Sequence, residues 1–124
     1  MGTNRRVLIV DDEQAVCQCL KEFFVARGFV VDTAFSGEEA LTRLKKTPVD
    51  AVLIDILLPG IHGLEVLRQA KSLYPSARAV MMTGLTPDEM QEEAIKGGAD
   101  GFVPKPLNLG DAGWAAIVDA FLAP

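Results

Sequence analysis

Cysteine, histidine and positive charge are all scarce in this sequence of 124 residues, and each scarcity closes a class of function. Cys17 and Cys19 are the only cysteines. Their i, i+2 spacing turns them to different faces of a helix, which suits neither a disulfide nor a two-ligand metal clip, so both are expected to be reduced helix residues. With 12 Lys and Arg against 17 Asp and Glu, the net charge of -5 opposes the phosphate attraction that supplies most nucleic-acid affinity. Direct nucleic-acid binding is not expected. No apolar run approaches the roughly 18 residues that suggest a membrane span. The polar start Met-Gly-Thr-Asn-Arg-Arg leads into only four apolar residues, too few for a signal peptide, so the expected compartment is the cytoplasm. There is no internal repeat, low-complexity tract or linker. A hydrophobic fraction of 49% with 23% charged residues is ordinary for a chain that folds alone, and the length fits one domain over 1–124.

What the sequence does contain is alternation. Short continuous apolar runs of the kind expected for strands buried on both faces occur at Val7 to Val10, Val30-Val31 toward Ala34, Ala51 to Ile54, Ala79 to Met82, and Phe102-Val103. Segments with helical spacing separate them, which predicts a parallel sheet covered on both faces and five strand-helix units. In the first helix Val16, Cys19, Leu20 and Phe23 are expected to face the sheet, with Gly28 ending the segment in a left-handed conformation. Ser36-Gly-Glu-Glu39 predicts a capping box at the start of the second helix, with Leu41 and Leu44 inward. The third helix is expected from about Leu64 to Tyr74. Thr86-Pro-Asp-Glu89 should open the fourth, and the last should span roughly Leu107 to Leu122.

In an open parallel sheet the ligand site lies beyond the carboxyl ends of the strands. Asp11 and Asp12 follow the first run, Asp55 the third, Thr83 the fourth, and Lys105 the fifth after Pro104. Polar residues commonly end strands, and any one of these could simply solvate a loop. Together they would share one edge of one sheet. Carboxylates gathered there repel by about 4 kcal/mol per pair at 4 Å and an effective dielectric near 20. Lys105 offers one compensating charge, and a hard divalent cation held by carboxylates and phosphate oxygens, Mg²⁺, is the natural second. A carboxylate beside such a cation can attack phosphorus and form an aspartyl phosphate.

From Val7-Leu-Ile-Val-Asp-Asp12 through Leu53-Ile-Asp-Ile-Leu-Leu-Pro-Gly60 to Phe102-Val-Pro-Lys-Pro106, the chain resembles the receiver domains of two-component response regulators over nearly its whole length. The resemblance implies a single α/β domain of the doubly wound (βα)5, flavodoxin-like type, with a parallel five-stranded sheet of order 2-1-3-4-5 and helices on both faces. It implies Asp55 as phosphoacceptor, with Asp12, Asp55 and the Leu57 carbonyl as Mg²⁺ ligands and Asp11 assisting mainly through water. Thr83 and Lys105 would contact the phosphoryl group, Thr83 and Phe102 would form the switch, and Lys105-Pro106 would be a cis peptide bond. The implied function is a phosphorylation-dependent switch rather than a conventional enzyme, although it catalyses its own aspartyl phosphorylation and dephosphorylation. The implied partners are a sensor histidine kinase or histidine phosphotransfer protein. An output domain, a downstream protein or a second copy would meet the face made by the fourth helix, last strand and last helix.

Bland alternatives stand beside each role. Phe102 can be core, Trp114 with Ile117, Val118 and Phe121 can be ordinary helix packing, and His62 is expected to be a solvated loop side chain rather than a phosphoryl carrier. Leu57 and Leu85 are apolar where they could flank the phosphoryl group and impede an attacking water. Gly84, directly after Thr83, should leave the site open to a donor. A haloacid-dehalogenase-like phosphatase would need an Asp-x-Asp pair, but Leu57 stands two after Asp55. A flavodoxin-like FMN carrier would need a hydroxyl-rich loop where Asp11 and Asp12 stand. A degenerate receiver that signals by binding alone would not need the full set of Asp11, Asp12, Asp55, Thr83 and Lys105.

Overall fold

The computed structural model describes residues 5–84 and 88–105. Strands β1 (Arg6–Val10), β2 (Val30–Ala34), β3 (Ala51–Asp55), β4 (Arg78–Thr83) and β5 (Gly101–Pro104) alternate with α1 (Gln14–Val25), α2 (Gly37–Lys46), α3 (Gly63–Leu73) and α4 (Asp88–Lys96). All strand pairings are parallel, and the order is β2-β1-β3-β4-β5. The expected last helix with Trp114, the Lys105-Pro106 bond, Leu85, and the Thr86-Pro87 opening of the fourth helix lie outside the described residues.

Alternation along each strand divides the core in two. Leu8, Val10, Val52, Ile54, Ala79 and Met81 face α2, α3 and α4, meeting Ala40, Leu44, Val66, Leu67, Ala70 and Ala94. Val7, Ile9, Ala51, Leu53, Val80, Met82 and Val103 face Cys17, Leu20 and Phe24 of α1. The central strands are therefore apolar over Val7 to Val10, Ala51 to Ile54 and Ala79 to Met82, because each of these residues meets one helical layer or the other. Each fully buried Leu, Ile or Phe contributes about 1.5–3 kcal/mol.

The buried stripe of α1 differs from the sequence expectation. Cys17, Leu20 and Phe24 are buried, whereas Cys19 is exposed and Val16 and Phe23 lie only partly covered at the margin. Both stripes have helical spacing and share Leu20, so periodicity alone did not fix the rotation of the helix. Gly28 does adopt the left-handed conformation expected of it, at φ 89°.

Helix α2 starts as its sequence requires. The Ser36 hydroxyl accepts from the Glu39 amide at 3.1 Å, and the Glu39 carboxylate accepts from the Phe35 amide at 2.8 Å, one residue before the usual partner of a capping box. Leu44 is buried and Leu41 half-buried, as the spacing predicts. Helix α3 begins one residue early because His62 serves as its N-cap, Nδ1 accepting from the Leu64 amide at 3.3 Å. It ends at Leu73, and the Tyr74 hydroxyl then donates to the Leu44 carbonyl, tying α3 to α2.

The entry to β5 is fixed by Asp100. Its amide donates to the Ala79 carbonyl at 2.7 Å, and its carboxylate accepts from the Ala79 amide at 2.8 Å and from Lys71 Nζ at 3.3 Å. This double tie to β4 sets the register Val80 to Gly101 through Thr83 to Pro104. Lys105 is thereby delivered at the opposite, carboxyl edge.

Candidate functional site

The carboxyl ends of β1, β3 and β5 converge. Carboxylate oxygens of Asp11, Asp12 and Asp55 lie within 4.8 Å of one another. Asp11 is fully buried at 0% exposure and Asp55 nearly so at 8%, whereas Asp12 is exposed. Burying carboxylates is costly unless they are paired, and Lys105 supplies the pairing. Its Nζ donates to Asp11 Oδ2 at 2.9 Å and to Asp55 Oδ2 at 3.2 Å. Backbone amides complete the two acceptors: Glu13 N–H donates to Asp11 Oδ1 at 2.9 Å, and Leu57 N–H to Asp55 Oδ1 at 3.1 Å.

Charge in this pocket is finely opposed. Burial pushes the Asp55 carboxyl above its ordinary range and the neighbouring Asp11 adds to this, while the charge and hydrogen bond of Lys105 and the Leu57 amide pull it down without cancelling the rise. Burial alone would lower the Lys105 ammonium, but its hydrogen bond to Asp11 and the charges of Asp11 and Asp55 prevail and raise it. Lys105 is therefore firmly protonated between two carboxylates.

Sequence reasoning missed Glu13, whose carboxylate stands 3.7 Å from Lys105 Nζ as a third, exposed anion at the rim. The signal was its place directly after Asp12. It also missed His62 as a helix cap and Gly63 as a close-approach residue. A Cβ on Gly63 would lie 2.3 Å from the Asp55 carbonyl and 2.8 Å from that of Ile56, so the start of α3 can pack against the site only without a side chain.

The remaining expected residues sit near the same edge. Thr83 ends β4 one position beyond Met82, the register partner of Asp55; its side chain lies outside the described residues. Leu57 is exposed at 51%, beside Asp55. Phe102 is half-buried on the α2-α3-α4 side of the sheet. The donor set, three carboxylates and no sulfur or imidazole, fits a hard divalent cation such as Mg²⁺ and disfavours soft metals.

The sequence signature described as "Response regulator receiver domain" matches residues 7–112. The chain belongs to the response regulator receiver domain family. Receiver domains act as phosphorylation-dependent switches in two-component signalling, and they are not enzymes of the ordinary kind. Regulatory protein VanRB of Enterococcus faecalis is 34% identical over 104 residues, covering 84% of this chain and 47% of its own. The chain thus spans about half the length, or less, of the curated relatives it matches. Among solved structures, a CheY-like receiver domain protein from Methanospirillum hungatei superposes with a TM-score of 0.88 at 29% identity, over 97% of this chain and 94% of that one. A response regulator from Burkholderia pseudomallei, with a phosphorylated aspartic acid, a calcium ion and citrate, gives 0.84 at 26% identity, over 95% and 66%. These likenesses agree with the sheet order and the doubly wound, parallel architecture of the receiver domain.

Proposed function

We propose that Asp55 is the phosphoacceptor of this receiver and that Asp11, Asp12 and Lys105 prepare it. The observation that carries the proposal is the placement of Lys105 Nζ between Asp11 Oδ2 and Asp55 Oδ2, inside a cluster made of carboxylates alone. Asp12 and Asp55, with the Leu57 carbonyl and with Asp11 behind them, would hold the Mg²⁺, which neutralises these carboxylates and the charge on phosphoryl oxygens.

The Asp55 carboxylate forms the new bond to phosphorus. The donor's P–N bond, or the P–O bond of an acyl phosphate, breaks, and its electron pair leaves with the donor. Lys105 follows the charge, turning its ammonium from the Asp55 carboxylate to the transferred oxygens. One carboxylate charge becomes a group near -2 with strong acceptor oxygens. The Thr83 hydroxyl donates to that group, and Phe102 turns inward. Moving a population from 1:99 to 99:1 takes about 5.5 kcal/mol, more than the roughly 1.5–3 of one hydrogen bond to a charged group. Thr83 therefore acts together with Lys105 and a bound partner.

The donor is a sensor histidine kinase or histidine phosphotransfer protein. The readout surface is the face of α4 and β5, with the last helix expected from the sequence, meeting an output domain, a downstream protein or a second copy. Ile95 on α4, exposed at 61%, is consistent with that use. No helix among the described residues is long and apolar enough to cross a membrane, and cytoplasmic residence is part of the proposal.

The test is chemical. Protein treated with acetyl phosphate and Mg²⁺, then reduced with borohydride, is expected to yield homoserine at position 55 on peptide mapping. Homoserine at position 11 or 12 instead would overturn the assignment.

A further inference from the structure

We infer that the first turn of α2 is a positioning element for the loop that follows Asp55, with Gly37 as the residue that sets the loop's place. The inference rests on the reading that Asp55 and the Leu57 carbonyl face the cation. A Cβ on Gly37 would lie 2.4 Å from the Ile61 carbonyl oxygen and 2.7 Å from Ile61 Cβ, distances that real Cβ atoms essentially never show. The contact is to backbone, so it cannot be relieved by turning a side chain. Across the loop, the first turn of α3 presses equally hard through Gly63 on the carbonyls of Asp55 and Ile56. Residues 56–62 are thus held between two helix starts.

The α2 side of this clamp is stiff. Ser36 and Glu39 satisfy amides on both sides of Gly37, as a capped helix start requires. Its next residue, Glu38, reaches the same loop with the movable end of an exposed side chain: a Cβ on Gly60 would fall 2.9 Å from the Glu38 carboxylate. Gly60 is itself left-handed at φ 71°. The small residue at position 37 therefore does more than fill space in the core. It brings the capped turn against Ile61, in the same short loop that supplies the Leu57 amide to Asp55. A methyl group there would need the Ile61 carbonyl to retreat by about 1 Å from its 2.4 Å approach to reach ordinary contact distance.

The test compares Mg²⁺ affinity, by calorimetric titration of the unphosphorylated protein, among wild type, Gly37→Ala and Gly97→Ala. Gly97, after the C-terminal end of α4, is a control away from the loop: a Cβ there would meet the Leu67 side chain at 3.1 Å and the Glu93 and Ala94 carbonyls at ordinary contact distances of 3.4 and 3.5 Å. Gly37→Ala is expected to weaken binding about 10- to 100-fold, the range typical when the support behind metal ligands is disturbed. Gly97→Ala should bind as wild type even if it melts earlier. Wild-type affinity in Gly37→Ala, or an equal loss in Gly97→Ala, overturns the inference. A wild type that does not bind Mg²⁺ overturns the underlying cation reading and the inference with it. If circular dichroism shows Gly37→Ala unfolded, Ser36→Ala, which loosens the same capped turn, takes its place, and unchanged affinity there overturns the inference.

Discussion

Lys105 concentrates the site's electrostatics on one side chain, because Asp11 at 0% exposure has no other cation within reach among the described residues. Removing one partner of a buried ion pair strands the other, so Lys105→Met is expected to lose about 3 kcal/mol in metal-free buffer, measured by denaturant unfolding, with added Mg²⁺ restoring part of the loss. Asp55 behaves oppositely. Its folded-state pKa is raised, so the stability it contributes is fully present below 3.8 and is lost as pH rises through its folded value. At neutral pH the uncharged Asp55→Asn should therefore unfold at higher denaturant than wild type. The same sign applies to Cys17, whose thiol burial pushes from 9.0 up to about 12, so its contribution falls across that interval. Brief alkylation of the native protein should accordingly label exposed Cys19 and spare Cys17; labelling of both at equal rates would refute the rotation of α1 described here. Leu57, exposed beside Asp55, is expected to hinder the attacking water. Leu57→Asn should then shorten the phosphorylated lifetime, and an unchanged rate of phosphate release would count against that role.

Among the elements, the helix starts carry more of the site than their lengths suggest. Ser36→Ala should cost about 1 kcal/mol, read from the unfolding midpoint, because the Glu39 amide loses its acceptor. This start was legible in the sequence, since Ser36 and Glu39 stand at capping-box spacing before an apolar stripe. The start of α3 was not, because histidine is an uncommon N-cap and only the folded loop brings Nδ1 to the Leu64 amide. Helix α1 shows a different limit. Cys17-Leu20-Phe24 and Cys19-Leu20-Phe23 are both acceptable apolar stripes, and packing on Ile9, Leu53 and their neighbours chooses between them.

At the level of the whole molecule, the order of elements was readable because both faces of the sheet are covered and its central strands each hold an uninterrupted run of four apolar residues. The convergence of Asp11, Asp12, Asp55 and Lys105 followed from the same topology, since a parallel sheet collects all its carboxyl ends at one edge. Glu13 and Asp100 escaped notice because their partners are 92 and 21 residues away in sequence and become neighbours only when the sheet closes. The central claim is that this edge transfers a phosphoryl group to Asp55. The most direct measurement is intact mass after incubation with acetyl phosphate, with and without Mg²⁺, for wild type and Asp55→Asn. A gain of one phosphoryl group is expected in wild type with Mg²⁺, none without it, and none in the variant. An equal gain in Asp55→Asn, or no gain where a control receiver is labelled, would contradict the central claim.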